Sequence, residues 1–156
     1  MIDSTYFEDT FSALVKSLYY ERGRGAYFRA TMVGRDYIDR RDIKGDTSEE
    51  VIENCVTFLM ENGIIQKAAY KKDESDTFFT FEIKGCTHLP VEARLKEQGV
   101  PAFVCPPINI ILHKIRQRIG LAVEIADITV NQEEGACIVR VVIFRQEETR
   151  EREVRR

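Results

Sequence analysis

The stretch GCTHLPVEARLKEQGVPAFVCPP, residues 85–107, decides how this chain is read. Its first glycine ends an alternating run, Phe79, Phe81 and Ile83 against Thr80 and Glu82, the pattern of a strand buried on one face. Its last residues, Pro106-Pro107, open a helix whose stripe is Ile108, Ile111, Leu112, Ile115 and Ile119, with Gly120 as its stop. Between them, residues 89–98 read as a short helix with Pro90 in its first turn and Gly99 after it. Cys86 and His88 therefore stand just after a strand, and Cys105 just before a helix. Thiolate and imidazole suit zinc and other borderline metals. A helix N-terminus also lowers a thiol's pKa, which bears on Cys105. The spacing matches no zinc finger, since Cys86-Thr87-His88 is tighter than the usual two-residue gap. Metal ligation needs the ends of two hairpins to converge; otherwise these are buried cysteines or a bare thiol.

Outward from this stretch, residues 64–72 and the alternating run form a first hairpin around the charged turn 73–76. A second hairpin closes the domain, with strands over 121–130 and 136–144 and Cys137 at the start of the last one. The apolar phase of its first strand switches from odd (Val123, Ile125) to even (Ala126, Ile128, Val130), which predicts a bulge.

Three helices precede the hairpins. Asp3 or Ser4 caps the first, whose stripe is Phe7, Phe11, Leu14, Val15 and Leu18. The second covers 26–41 and carries Gly34 in its middle; such a glycine costs about 1 kcal/mol relative to Ala, so a close-packed neighbour is expected there. Asp46 and Glu49 form a capping box for the third, which ends at Asn62-Gly63. Cys55 lies within that helix's apolar stripe and is read as core. The order α-α-α-β-β-α-α-β-β gives an α+β domain over residues 1–144: an antiparallel sheet of about four strands with helices on one side. Residues 145–156 are a charged tail, either a solvated helix extension or disordered.

Composition narrows the function classes. The 156 residues are 44% hydrophobic and 31% charged, ordinary for a globular domain. A net charge of -3 gives no general nucleic-acid footprint, and no apolar run is long enough to span a membrane. The start lacks the features of a secretory signal, so a cytoplasmic location is expected, with four free thiols rather than a disulfide framework. GRG at 23–25 is no phosphate loop, and neither G-x-S-x-G nor H-E-x-x-H is present. Glu92 lies four residues beyond His88, a commonplace pairing, and His113 reads as a boundary residue. No catalytic residue is assigned, although Cys105 with His88 or His113 remains open as a nucleophile pair.

The order of elements, the strand ending in Gly85-Cys86, the Val104-Cys105-Pro106 helix entry, Gly120 and the Gly135-Ala136-Cys137 hairpin resemble the 4-vinyl-reductase-type, hydrocarbon-binding domain family. That family is related in fold to small subunits of the TRAPP vesicle-tethering complex and to haem nitric-oxide sensor domains. The resemblance implies a zinc site in which Cys105, Glu124 and Cys137 are ligands, with Asp127 at the position of a further cysteine. The pair Cys86 and His88 is expected to supply the missing ligand. It further implies a pocket for a small hydrophobic or aromatic molecule between helices and sheet, which Tyr27, Phe28, Met32, Phe79, Phe81, Phe103 and Ile111 could line. Related folds dimerise through their N-terminal helices, so a homodimer is expected here, with output through a protein partner. Two alternatives stand beside this sensor or carrier. A similar cysteine arrangement in aminothiazoline-carboxylate hydrolases suggests a thiolate- or metal-dependent hydrolase acting at Cys105, and the fold relation suggests a TRAPP-like assembly subunit.

Overall fold

Helix boundaries fall where short polar side chains and glycines can satisfy the free ends of the backbone. The computed structural model describes residues 3–144; the charged tail lies outside them. Ser4–Arg22 (α1) starts at Asp3, whose carboxylate accepts from the Thr5 amide at 3.0 Å, and stops at Gly23. The single helix expected over 26–41 is two short ones, Ala26–Ala30 (α2) and Arg35–Asp39 (α3). Gly34 makes the break: its φ of 97° is left-handed, and a Cβ there would come within 3.2 Å of the Ile110 side chain and the Pro106 carbonyl. The close neighbour expected at this glycine is therefore a later helix, Pro106–Ile119 (α6). From it Asn109 Nδ2 donates at 2.7 Å to the Ala30 carbonyl, which also accepts from the Val33 amide, and at 3.0 Å to the Val33 carbonyl beside the break.

Ser48–Glu61 (α4) is capped one residue later than the sequence suggests. Thr47 Oγ1 accepts from the Glu50 amide at 3.2 Å, and Glu50 Oε2 accepts from the Asp46 amide at 2.7 Å. Asn62 and the left-handed Gly63 end it as expected. The strands are Lys67–Lys72 (β1), Phe78–Lys84 (β2), Ala122–Asn131 (β3) and Ala136–Phe144 (β4). They form one antiparallel sheet in the order β1-β2-β4-β3, so the two hairpins abut through β2 and β4.

The fold is α+β, with the helices on one side of this sheet. Phe79, Phe81 and Ile83 of β2 and Val139 and Val141 of β4 face a core shared with Val51, Ile52, Cys55 and Leu59 of α4 and Ile108, Ile111 and Ile115 of α6. The register of β3 shifts between Ile125 and Asp127. That bulge lets Val123 and Ile125 on one side of it, and Ile128 and Val130 on the other, stand opposite inward residues of β4. A smaller core joins Val15 of α1, Ala26 and Ala30 of α2, Phe103 and Val104, and Val91 and Leu95 of the remaining helix, Leu89–Glu97 (α5). The expected stripe of α1 is only partly used. Val15 is buried while Phe7 and Leu14 are exposed, because α1 rests on its neighbours along one row. No helix of the described residues is long and apolar enough to cross a membrane.

Candidate functional site

The pairing of the two hairpins places Cys137 opposite Ile83 of β2 on one side and Val130 of β3 on the other. Just past β2, Gly85 turns with φ +62° and its amide donates to the Gly135 carbonyl at 3.0 Å, tying the hairpin ends together. The positive φ favours glycine at this turn, and a Cβ at Gly85 would stand 2.3 Å from the Gln66 side chain, which would have to swing aside. The loop is held again where the Thr87 amide donates to the Ile64 carbonyl at 3.0 Å. Cys86 Sγ lies 3.5 Å from His88 Nδ1 and accepts from the His88 amide at 3.5 Å. His88 caps α5, with the Phe11 ring tilted against it at 5.6 Å, and Glu92 follows one turn later. Cys105 occupies the N-cap of α6. Cys86, His88, Glu92, Cys105 and Cys137 all line one hollow of about 20 Å³, closed by Leu89, Val104, Ile128 and Val130.

Burial governs protonation here. It pushes the Cys105 thiol well above its ordinary value; the Ile108 amide at the start of α6 opposes this, and the neighbouring Cys86, Cys137 and Glu92 reinforce it. Burial also raises Cys86, takes Cys137 to about 12 and Glu92 to about 7, and lowers His88. The expected lowering of Cys105 by the helix is thus outweighed by desolvation. Without a metal the hollow holds neutral thiols and a neutral imidazole at pH 7.

Three thiols and an imidazole make a Cys₃His donor set, one that structural zinc uses. Two tetrahedral ligands at bond lengths of about 2.0 and 2.3 Å stand about 3.5 Å apart, which the 3.5 Å between Cys86 Sγ and His88 Nδ1 matches. As the side chains stand, no group of three or more among the described residues is arranged to hold an ion. Cys55 does not line the hollow and sits fully buried on the inner face of α4, its thiol raised to about 12 by burial.

Of the ligand set implied by the resemblance, Cys105 and Cys137 meet at the hollow and Glu124 does not. Glu124 pairs with Val142, six positions along β3 from the Val130 that faces Cys137. At about 3.3 Å per residue that is roughly 15–20 Å. Asp127 pairs with Arg140 at 3.6 Å instead. Glu92 is the carboxylate that reaches the hollow; its place one turn after His88 was the available signal. His113 bonds Asp39 at 2.9 Å and does not line the hollow.

Across residues 102–105 lies a second, open groove of about 530 Å³. Tyr27, Phe28 and Thr31 come from α2, Ala102 and Phe103 from the extended segment, Asn109 and Arg116 from α6, and Glu124, Ile125, Ala126, Asp127 and Ile128 from the bulged part of β3. Phe103 stacks on Tyr27 with ring centres 5.3 Å apart at 5° and meets Tyr19 at 5.8 Å. Arg116, partly buried, donates to the Val123 carbonyl and feels the Glu124 charge. Of the seven residues expected to line a pocket, Tyr27, Phe28 and Phe103 meet here. Phe79, Phe81 and Ile111 are sealed in the main core, at most 1% exposed, and Met32 is 56% exposed and lines neither hollow. The space between helices and sheet is filled by side chains at those core positions, and the groove lies at the sheet's β3 edge instead.

An α+β domain with a thiol-lined hollow beside an aromatic groove is the class these features define. The family whose model is described as "Putative rubredoxin C-terminal domain" matches residues 8–141, and the chain belongs to that family. This is not the 4-vinyl-reductase-type family that the order of elements and the short motifs suggested, and no comparison supports that one. No curated protein matches the chain. Among solved structures it is similar to trafficking protein particle complex subunit 3 from Naegleria fowleri, covalently bound to palmitic acid. The TM-score is 0.47 and the identity 13%, over 91% of this chain and 95% of that one.

Proposed function

We propose that this chain is a binding module for a small apolar or aromatic molecule, held in the groove between α2 and β3, with one zinc ion at the thiol hollow behind it. The observation that carries this reading is the shared wall. Ala102 and Phe103 line the groove, Val104 and Cys105 line the hollow, and Ile128 lines both. A planar ligand would extend the Tyr27–Phe103 stack, and Arg116 and Glu124 would orient a polar end. Cys86, His88, Cys105 and Cys137 would hold the zinc, the three thiols giving up their protons to solvent, and its binding would supply free energy that fixes the loop carrying Cys86 and His88 against Cys105 and Cys137. Carriage or sensing of a ligand in the cytoplasm, with output through a protein partner, fits free thiols and a site that needs no nucleophile. In the metal-free hollow burial raises the Cys105 thiol, which disfavours a free thiolate nucleophile there.

Native mass spectrometry of the purified protein tests the reading. The expected spectrum carries one metal per chain and a retained small molecule; a chain with neither contradicts it. A second reading, assembly with another copy or subunit, is favoured by Tyr6, Phe7, Leu14 and Tyr20, all more than half exposed along α1. Sedimentation of the wild type as a dimer, and of Phe7→Ser/Leu14→Ser as a monomer, is the expected result for a homodimer built on this helix.

A further inference from the structure

Away from both hollows, α6 buries a lysine. Lys114 is only 3% exposed. An ammonium taken out of water needs partners for its three N–H groups. Lys114 Nζ donates to the Arg41 carbonyl at 2.6 Å and to Gln117 Oε1 at 2.9 Å, both neutral acceptors, which leaves one N–H. The same lysine lines an open cleft of about 430 Å³, together with Arg40, Arg41 and Arg118. The Arg40 guanidinium has no protein partner among the described residues, and that of Arg118 spends only its Nε, on the Gly45 carbonyl at 3.3 Å. Arg41 lies over the Tyr37 and Phe58 rings.

Two carboxylates border the cleft, and both are engaged elsewhere. Asp39 pairs with His113 at 2.9 Å and Asp42 with Lys44 at 2.5 Å. Both carboxyls are held below the usual range, first by those partners and further by the cleft's own cations. Four cationic side chains against two carboxylates leave an excess of two positive charges, on a chain whose net charge is -3. A phosphate monoester carries a charge of about −1.5 to −2 at neutral pH and accepts forked hydrogen bonds from guanidinium groups.

We propose that this cleft binds the phosphate group of a small molecule, held by the free N–H of Lys114 and the guanidinium groups of Arg40 and Arg118. The cleft is larger than a bare phosphate needs, so the organic remainder of the molecule has room beside Ile43.

The test is calorimetry of the full chain with inorganic phosphate and pyrophosphate at constant ionic strength. Sedimentation with phosphatidylcholine vesicles, with and without phosphatidic acid, runs beside it. Saturable binding of the soluble anions, weakened about tenfold or more in Arg40→Ser/Arg118→Ser and in Lys114→Met, is expected. Both arginines are exposed, so their double variant keeps the test valid if Lys114→Met fails to fold. Binding of the soluble anions without sedimentation assigns the group to a soluble metabolite. Sedimentation that requires phosphatidic acid and is lost in the double variant assigns the same phosphate chemistry to a lipid headgroup. No binding of either kind, or binding that the double variant leaves unchanged, overturns the proposal.

Discussion

The hollow at Cys105 encloses about 20 Å³ among buried thiols, whereas the groove on the other side of residues 102–105 opens about 530 Å³ to solvent. One short extended segment serves both, turning Phe103 into an aromatic stack and Cys105 into a cluster of donors. The difference teaches what each can accept. The hollow has room for a single ion or water and offers sulfur and nitrogen; the groove offers ring faces and a few polar groups to a molecule. The main core behind both is closed, so the apolar residues there contribute stability, and under the proposed function recognition falls to the groove residues.

The sharpest way to break this division is to truncate a sealed aromatic. Phe81→Ala should cost about 3–5 kcal/mol in urea unfolding, yet leave the affinity of the folded protein for an apolar fluorescent probe within a factor of two; a large loss of affinity would return Phe81 to the ligand site.

Next comes the carboxyl in the hollow. In chelator-treated protein, burial raises Glu92 from 4.5 to about 7. Native protein then keeps that proton while the unfolded chain loses it, so stability falls as pH rises from about 4.5 to about 7 and stays low above. The loss attributable to Glu92 should be at most about 3 kcal/mol, and Glu92→Gln should flatten that slope in pH-dependent denaturation; an unchanged slope would place the carboxyl in water.

On the groove side, Phe103→Ala removes the partner of Tyr27. It should weaken the probe by about tenfold, since an aromatic pair contributes about 0.5–1.5 kcal/mol beyond its buried area. Metal content should not change. The smallest effect belongs to Phe28, 76% exposed at the groove's rim. Phe28→Ala should shift stability by no more than about 0.5 kcal/mol and reduce probe affinity only a few-fold, by fluorescence titration.

Much of this architecture was legible in the chain. The phase switch from Ile125 to Ile128 marked the bulge, and Pro106-Pro107 with Gly120 bounded α6, because period and cap chemistry are local signals. Gly34 was harder. Helical spacing runs on both sides of it, and only the approach of Ile110 and Pro106 reveals a left-handed break. The resemblance placed Glu124 by motif spacing, which says nothing about which end of a strand faces Cys137. Apolar type could not separate Phe81, sealed in the core, from Phe103 at the groove. Lys114 lies off the apolar stripe of α6 and reads as a surface lysine, and only its buried position beside Arg40 and Arg118 gives it a meaning.

The most direct test of the shared-wall account is X-ray absorption at the zinc edge on protein purified from zinc-supplemented medium. The account predicts one zinc per chain with about three sulfur neighbours near 2.3 Å and one nitrogen near 2.0 Å, and loss of that shell in Cys105→Ser. A shell of oxygen and nitrogen alone, or protein without stoichiometric metal, would contradict it.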